Sequence, residues 1–205
     1  LKAQTPEILY YKFNGTGNSV PNLALYPPSG TENATINGSQ TQGDVGQSGG
    51  ALVGFSGNSN VNFVNTNWAP DLGNSSWTIA FWSNNIDQSG EISTIFGDVN
   101  TGSLRCFTGG VAGSGNWMLR GPVSDIIAVG GASTGPSITA FVYDKDSSTI
   151  KSYVNGVLSQ TVSQSSLDFT GSGPFKIGGY NIANALKLNN AIDEFRLYNR
   201  ALSLE

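Results

Sequence analysis

Apolar residues recur at alternate positions in short runs along this chain, and nowhere do they hold the three-and-four spacing of a helix for a useful length. Ile8 to Phe13 is predicted as a first strand, with Ile8, Tyr10 and Lys12 on one side and Leu9, Tyr11 and Phe13 on the other. Between residues 14 and 50 the sequence is rich in Gly, Asn, Ser, Thr, Gln and Pro, which marks loop, with short β pieces expected around Ala34 to Ile36. Ala51 to Phe55 and Val61 to Val64 follow as strands. Trp77 to Trp82 is apolar on both faces, as a strand in the middle of a covered sheet would be. Ile92 to Phe96, Ser103 to Phe107, Trp117 to Arg120 and Ile126 to Val129 are short strands between glycine-rich turns. Ser137 to Asp144 and Thr149 to Tyr153 form a hairpin. Asn155-Gly156 then supplies a pair that tolerates positive φ at both centres of a two-residue turn, folding Tyr153-Val154 back on Val157-Leu158. Phe175 to Gly179 leads to the closing strand. There, alternation places Ala191, Asp193, Phe195 and Leu197 on one face and Ile192, Glu194, Arg196 and Tyr198 on the other.

This pattern predicts an all-β, two-sheet antiparallel sandwich, and 205 residues suit a single domain spanning positions 1–205. Composition changes the picture in one respect. Charged residues make up 12 % of the chain, about half the usual share, so the polar surface has to be built from amides, hydroxyls and glycine. A net charge of -4 with ten scattered cations argues against a nucleic-acid partner. No apolar run is long enough for a membrane span. Cys106 is the single cysteine, so no disulfide forms within the chain, and the absence of histidine excludes Ser-His-Asp and Cys-His catalysis and imidazole zinc sites.

The run Ile192-Asp193-Glu194-Phe195-Arg196-Leu197-Tyr198-Asn199-Arg200-Ala201-Leu202-Ser203 resembles, nearly residue for residue, the last strand of laminin-G-like domains in the concanavalin A-like lectin/glucanase superfamily. Tyr11 to Gly15, Trp77 to Trp82 and Tyr153 to Val157 fit the same group, so the resemblance extends along the whole chain. It implies a jelly roll with the first and last strands adjacent, and no single activity, because such folds carry unrelated functions. One departure stands out: where the family usually has a Phe-Asp-Gly turn, this chain has Phe55-Ser56-Gly57.

Glucanases of the superfamily carry their acids on one strand as Glu-x-Asp-x-x-Glu, and no such triplet occurs here. Asp144 and Asp146 flank a turn, while Asp193 and Glu194 are adjacent and expected on opposite faces, so neither pair faces itself across a sugar. Asp193, sharing a face with Phe195 and Leu197, needs compensation for a buried charge. The resemblance implies one structural calcium held by Asp193 with carbonyls of Asn14 and Gly57; the alternative is a carboxylate capped by backbone N–H groups. Trp68, Trp117 and Tyr180 lie beside Gly, Asn or Pro, where a ring is expected to be partly exposed and able to stack on a sugar, whereas Trp77 and Trp82 are expected in the core. The expectation is a secreted or cell-surface, non-catalytic module of a larger secreted protein, binding a neutral or mildly basic glycan or another extracellular ligand such as a protein. A structural or adhesion spacer and a hydrolase with an atypical acid pair are the alternatives.

Overall fold

The computed structural model of the chain describes residues 4–55, 60–86, 92–98, 104–109, 114–121, 127–180 and 184–203. Its strands are β1 (Leu9–Tyr11), β2 (Ser19–Pro21), β3 (Asn33–Asn37), β4 (Thr41–Val45), β5 (Gly50–Val53), β6 (Phe63–Asn65), β7 (Asp71–Gly73), β8 (Trp77–Asn84), β9 (Ser93–Gly97), β10 (Arg105–Gly109), β11 (Ser114–Arg120), β12 (Ile127–Gly131), β13 (Ser137–Asp144), β14 (Thr149–Val154), β15 (Val157–Ser163), β16 (Phe169–Thr170), β17 (Lys176–Ile177) and β18 (Ala191–Tyr198). The first sheet runs β15-β14-β13-β8-β18-β5-β4, with β1 also pairing with β18; the second runs β12-β11-β10-β9-β17-β6-β3-β2; β7 and β16 form a small ribbon. All strand pairs are antiparallel.

The predicted strands are present, and the first and last are neighbours: Leu9 pairs with Leu197, Tyr10 with Arg196 and Tyr11 with Phe195. The long polar stretch after β1 holds three strands, β2, β3 and β4, of which β3 covers the short β pieces expected around Ala34 to Ile36 and β2 and β4 lie outside that range. β8 lies between β13 and β18, so both its edges are bonded, and its inward residues Trp77, Ile79 and Phe81 lie in the core between the sheets. The Asn155-Gly156 turn has φ of +50° and +80° and closes the β14–β15 hairpin as predicted.

Between the sheets lies a core rich in rings. Phe81 sits at its centre, stacked on Phe195 at 6.3 Å and edge-on to Trp117 at 5.4 Å. Edge-to-face geometry matches the positive rim of one ring to the negative face of another, which adds to the benefit of burial.

The closing strand departs from simple alternation. Its register with β8 shifts between Asp193, opposite Trp82, and Arg196, opposite Ala80, so that two residues face one, and Glu194 takes a φ of +52°. This bulge resets the faces. Ile192, Phe195 and Leu197 point into the core, while Ala191 packs with Trp82 and Ala51 in a separate cluster on the outer face. Asp193 therefore does not share a face with Phe195 and Leu197, as alternation predicted. It shares the outer face with Glu194 and Arg196, so the expectation of opposite faces for Asp193 and Glu194 is also corrected.

Candidate functional site

The outer face of the first sheet can be read off the strand registers. One row crosses five strands: Tyr10 opposite Arg196, Arg196 opposite Ala80, Ala80 opposite Ala140, and Ala140 opposite Tyr153. Long side chains at each end and methyl groups in the middle leave a depression. On either side of it lie the Trp82–Ile138 pair and the row Tyr198, Thr78, Val142, Lys151. A hollow of about 390 Å³ opens here, bounded by Tyr10, Lys12, Ala80, Trp82, Glu194 and Arg196, with Ile138, Tyr198, Gln47 and Ser48 at its margin. A second hollow, of about 450 Å³, lies further along the same face between Val142, Asp144, Lys151, Tyr153 and the segment 201–203.

The polar wall of the first hollow is a closed ionic network. The Tyr10 hydroxyl donates to Glu194 Oε2 at 2.8 Å and accepts from the Arg196 guanidinium at 3.0 Å. Arg196 also donates directly to Glu194, and Lys12 lies 3.6 Å from the same carboxylate. The guanidinium covers the Tyr10 ring at 4.6 Å. Burial tends to raise the Glu194 carboxyl, but the hydrogen bonds from Tyr10 and Arg196 and the two cations outweigh it and hold that carboxyl below its usual range. The wall presents donors and acceptors in which two cations share one carboxylate.

Asp193 is fully buried beside this wall. Its Oδ2 accepts the Ser48 N–H at 3.1 Å and its Oδ1 the Glu194 N–H at 2.6 Å. Residues 46–50 pass so close that a Cβ on Gly46 would stand 2.8 Å from Asp193 Oδ2 and 2.3 Å from the Gly50 carbonyl oxygen. Desolvation exceeds the stabilisation from these N–H groups and pushes the carboxyl up to about 6. Asn14, expected beside Asp193, reaches the same loop from the other side, its Oδ1 accepting the Gly50 N–H at 2.6 Å. Gly57 lies outside the described residues. Calcium needs six to eight oxygen ligands. Both oxygens of Asp193 receive N–H groups instead, and among the described residues no cluster of His, Cys, Asp or Glu gathers around it. These donors make a hydrogen-bonded clamp that ties the 46–50 loop to β18.

The three aromatic residues expected at a ligand site are not brought together. Trp68 is 2 % exposed and lies edge-on to Phe169 and Phe175, and Trp117 is wholly buried against Phe81 and Phe141. Neither offers a ring face to a ligand, which corrects the expectation for both. The turn-like residues around them turn the chain inward at the sandwich edge. Tyr180 is half-buried beside β9 of the second sheet, where the missing side chain of Gly97 makes room for it and the Arg105 guanidinium lies 5.0 Å from its ring. Trp82 is buried as expected, 5 % exposed in the small outer cluster with Ala51 and Ala191, and one edge of it borders the first hollow. The residues that shape the hollow escaped sequence reading because a pair of outward alanines has no motif. Their signal is small residues at matched outward positions of neighbouring strands, Ala80 and Ala140, and it can be read only once the strands are paired.

A family model described as the concanavalin A-like lectin/glucanases superfamily, laminin-G type, matches residues 55–205. The chain belongs to this family. No curated protein sequence matches it. Among solved structures it is similar to the receptor binding domain of botulinum neurotoxin C/D mosaic serotype, at TM-score 0.68 and 15 % identity, covering 96 % of this chain and 48 % of the other. It resembles the binding domain of Paraclostridial Mosquitocidal Protein 1 at TM-score 0.67 and 13 % identity, covering 95 % and 49 %. It is also similar to domain 4 of AbnA, a GH43 extracellular arabinanase from Geobacillus stearothermophilus, in complex with arabinotriose, at TM-score 0.65 and 21 % identity, covering 95 % and 93 %. The chain spans about half the length of the toxin domains. At these identities the likeness establishes a lectin-like β-sandwich fold.

Proposed function

We propose that this chain is a secreted or cell-surface, non-catalytic module of a larger protein that holds an uncharged carbohydrate against the outer face of its first sheet. The observation that carries this reading is the 390 Å³ hollow, which combines an Ala80 floor, the rings of Tyr10, Trp82 and Tyr198 at its edges, and a hydrogen-bonded wall in which Lys12 and Arg196 share the Glu194 carboxylate. A sugar presents apolar C–H faces and a rim of hydroxyls that both donate and accept. Rings and a methyl floor suit the faces, and the wall's donors and acceptors suit the rim. A spacer without a ligand would have no use for aromatic side chains around a hollow on this face. Hydrolysis is disfavoured because Glu194 is held by Tyr10, Arg196 and Lys12 while its neighbour Asp193 is shut beneath residues 46–50. The arabinotriose complex of the arabinanase domain and the likeness to receptor binding domains of toxins support a binding role, and the extracellular arabinanase supports export.

A glycan array followed by titration of the best ligand tests the proposal, with Trp82 fluorescence reporting occupancy. Ala80→Leu fills the hollow from its solvent side, so it is expected to abolish binding without lowering the melting temperature. A blank array, or unchanged affinity in Ala80→Leu, refutes it.

A further inference from the structure

The second hollow has no part in the reading above, yet it lies on the same face and the strand registers connect it to the first. Ala80 belongs to the first hollow and Tyr153 to the second. Between them in the cross-strand row stands Ala140, paired with Ala80 on one side and Tyr153 on the other. A methyl group is all that rises from the sheet at that point. From Arg196 on β18 to Tyr153 on β14 is three strand spacings, about 14 Å, and from Ile138 to Val142 along β13 is a similar distance.

We infer that the two hollows are one continuous trough, built for a linear, uncharged oligosaccharide long enough to lie in both. This rests on the carbohydrate reading and extends it from a sugar to a chain of sugars. Along the trough Lys12 and Arg196 share the Glu194 carboxylate in the first hollow, and Lys151 faces Asp144 in the second. The acid of the second hollow is matched locally as well, with Asp144 accepting from the Ser147 hydroxyl at 2.7 Å and the Asp146 N–H at 3.1 Å. With both carboxylates set among cations and hydrogen-bond donors, the trough offers mixed donors and acceptors along its length, which suits a repeating polyhydroxyl chain. Ala201 and Leu202 border the second hollow on its β8 side, pinned by the Leu202 N–H to Thr78 Oγ1 bond at 3.0 Å, so the open passage between the hollows is over Ala140.

Calorimetric titration with linear neutral arabino-, xylo- and gluco-oligosaccharides, from disaccharide to octasaccharide, tests the inference. For the sugar that binds, affinity is expected to rise about tenfold or more between trisaccharide and hexasaccharide. Ala140→Leu, which raises a barrier between the hollows, is expected to abolish the gain, so that hexasaccharide and trisaccharide bind the variant with equal affinity. Ala140→Ser keeps the floor low and is expected to retain the gain, and thermal melts check that both variants fold. Equal affinity for short and long chains, or no effect of Ala140→Leu, overturns the continuous trough while leaving the carbohydrate reading intact. Binding of no oligosaccharide at all, or of heparin fragments or peptides in their place, overturns both.

Discussion

Asp193 carries two pressures that can be separated by pH. Burial raises its carboxyl to about 6 from an ordinary 3.8, while the N–H groups of Ser48 and Glu194 pull the other way. A raised carboxyl means the folded state holds the proton more tightly than the unfolded state. The resulting stability is fully present below the unfolded value near 4 and is lost as pH rises through about 6. Going from pH 4 to pH 7, wild type should therefore lose roughly 1–3 kcal/mol more stability than Asp193→Asn, which has no proton to exchange. Urea melts of both proteins at the two pH values measure the difference. A bound cation would hold the carboxylate ionised and reverse the sign, so a wild-type gain relative to Asn, abolished by chelator, would replace the clamp with a calcium site. Tyr11 offers a second test. Its hydroxyl is buried in the core without a hydrogen-bond partner among the described residues, and burial alone raises its pKa. Removing a desolvated, unpaired hydroxyl relieves a cost, so Tyr11→Phe is expected to be neutral or to stabilise by about 1 kcal/mol, read from the urea midpoint. A loss of comparable size would reveal a partner for that hydroxyl.

Strand positions could be read from sequence where local pattern suffices, and β18 shows where it does not. Apolar alternation and turn residues located β1, β8, β13, β14 and β18 because each is long or strongly patterned. The bulge in β18 is a consequence of how that strand pairs with β8, and nothing within Asp193-Glu194-Phe195 announces it. Strict alternation therefore put Asp193 on the wrong face and hid the fact that Glu194 and Arg196 line a hollow. The short β2, β4, β7 and β16 are held by pairing and by polar side chains rather than by an apolar run, so they too escaped. Hairpin chemistry is the opposite case. Gly156 sits at φ +80° with nothing within 4 Å of a built Cβ, so Gly156→Ala meets no clash and tests backbone conformation alone. A loss of about 1 kcal/mol is expected by thermal or urea denaturation. No loss would mean the β14–β15 turn rearranges freely.

Across the whole molecule, the sandwich and the adjacency of its first and last strands were legible because many independent signals agree on them, from apolar spacing to the closing-strand motif. The binding face was not, because its defining feature is an absence of side-chain bulk at Ala80 and Ala140, which acquires meaning only when β8, β13, β14 and β18 lie side by side. The aromatic residues misled for a related reason: a tryptophan beside turn formers can point either way, and a core this rich in rings drew Trp68 and Trp117 inside. The distribution of charge gives the last prediction. The chain carries -4 overall with few charged residues, and around the outer-face trough Lys12 and Arg196 are already engaged by the Glu194 carboxylate. Salt screens net fields over about 8–10 Å at moderate ionic strength and leaves hydrogen bonds and ring contacts largely untouched. Affinity for a neutral oligosaccharide should therefore change less than about twofold between 50 and 500 mM NaCl, by an argument that rests on that screening alone. Titrations at the two salt concentrations decide it, since a ligand captured by Lys12, Arg196 and Lys151 acting as free cations would lose affinity steeply with added salt.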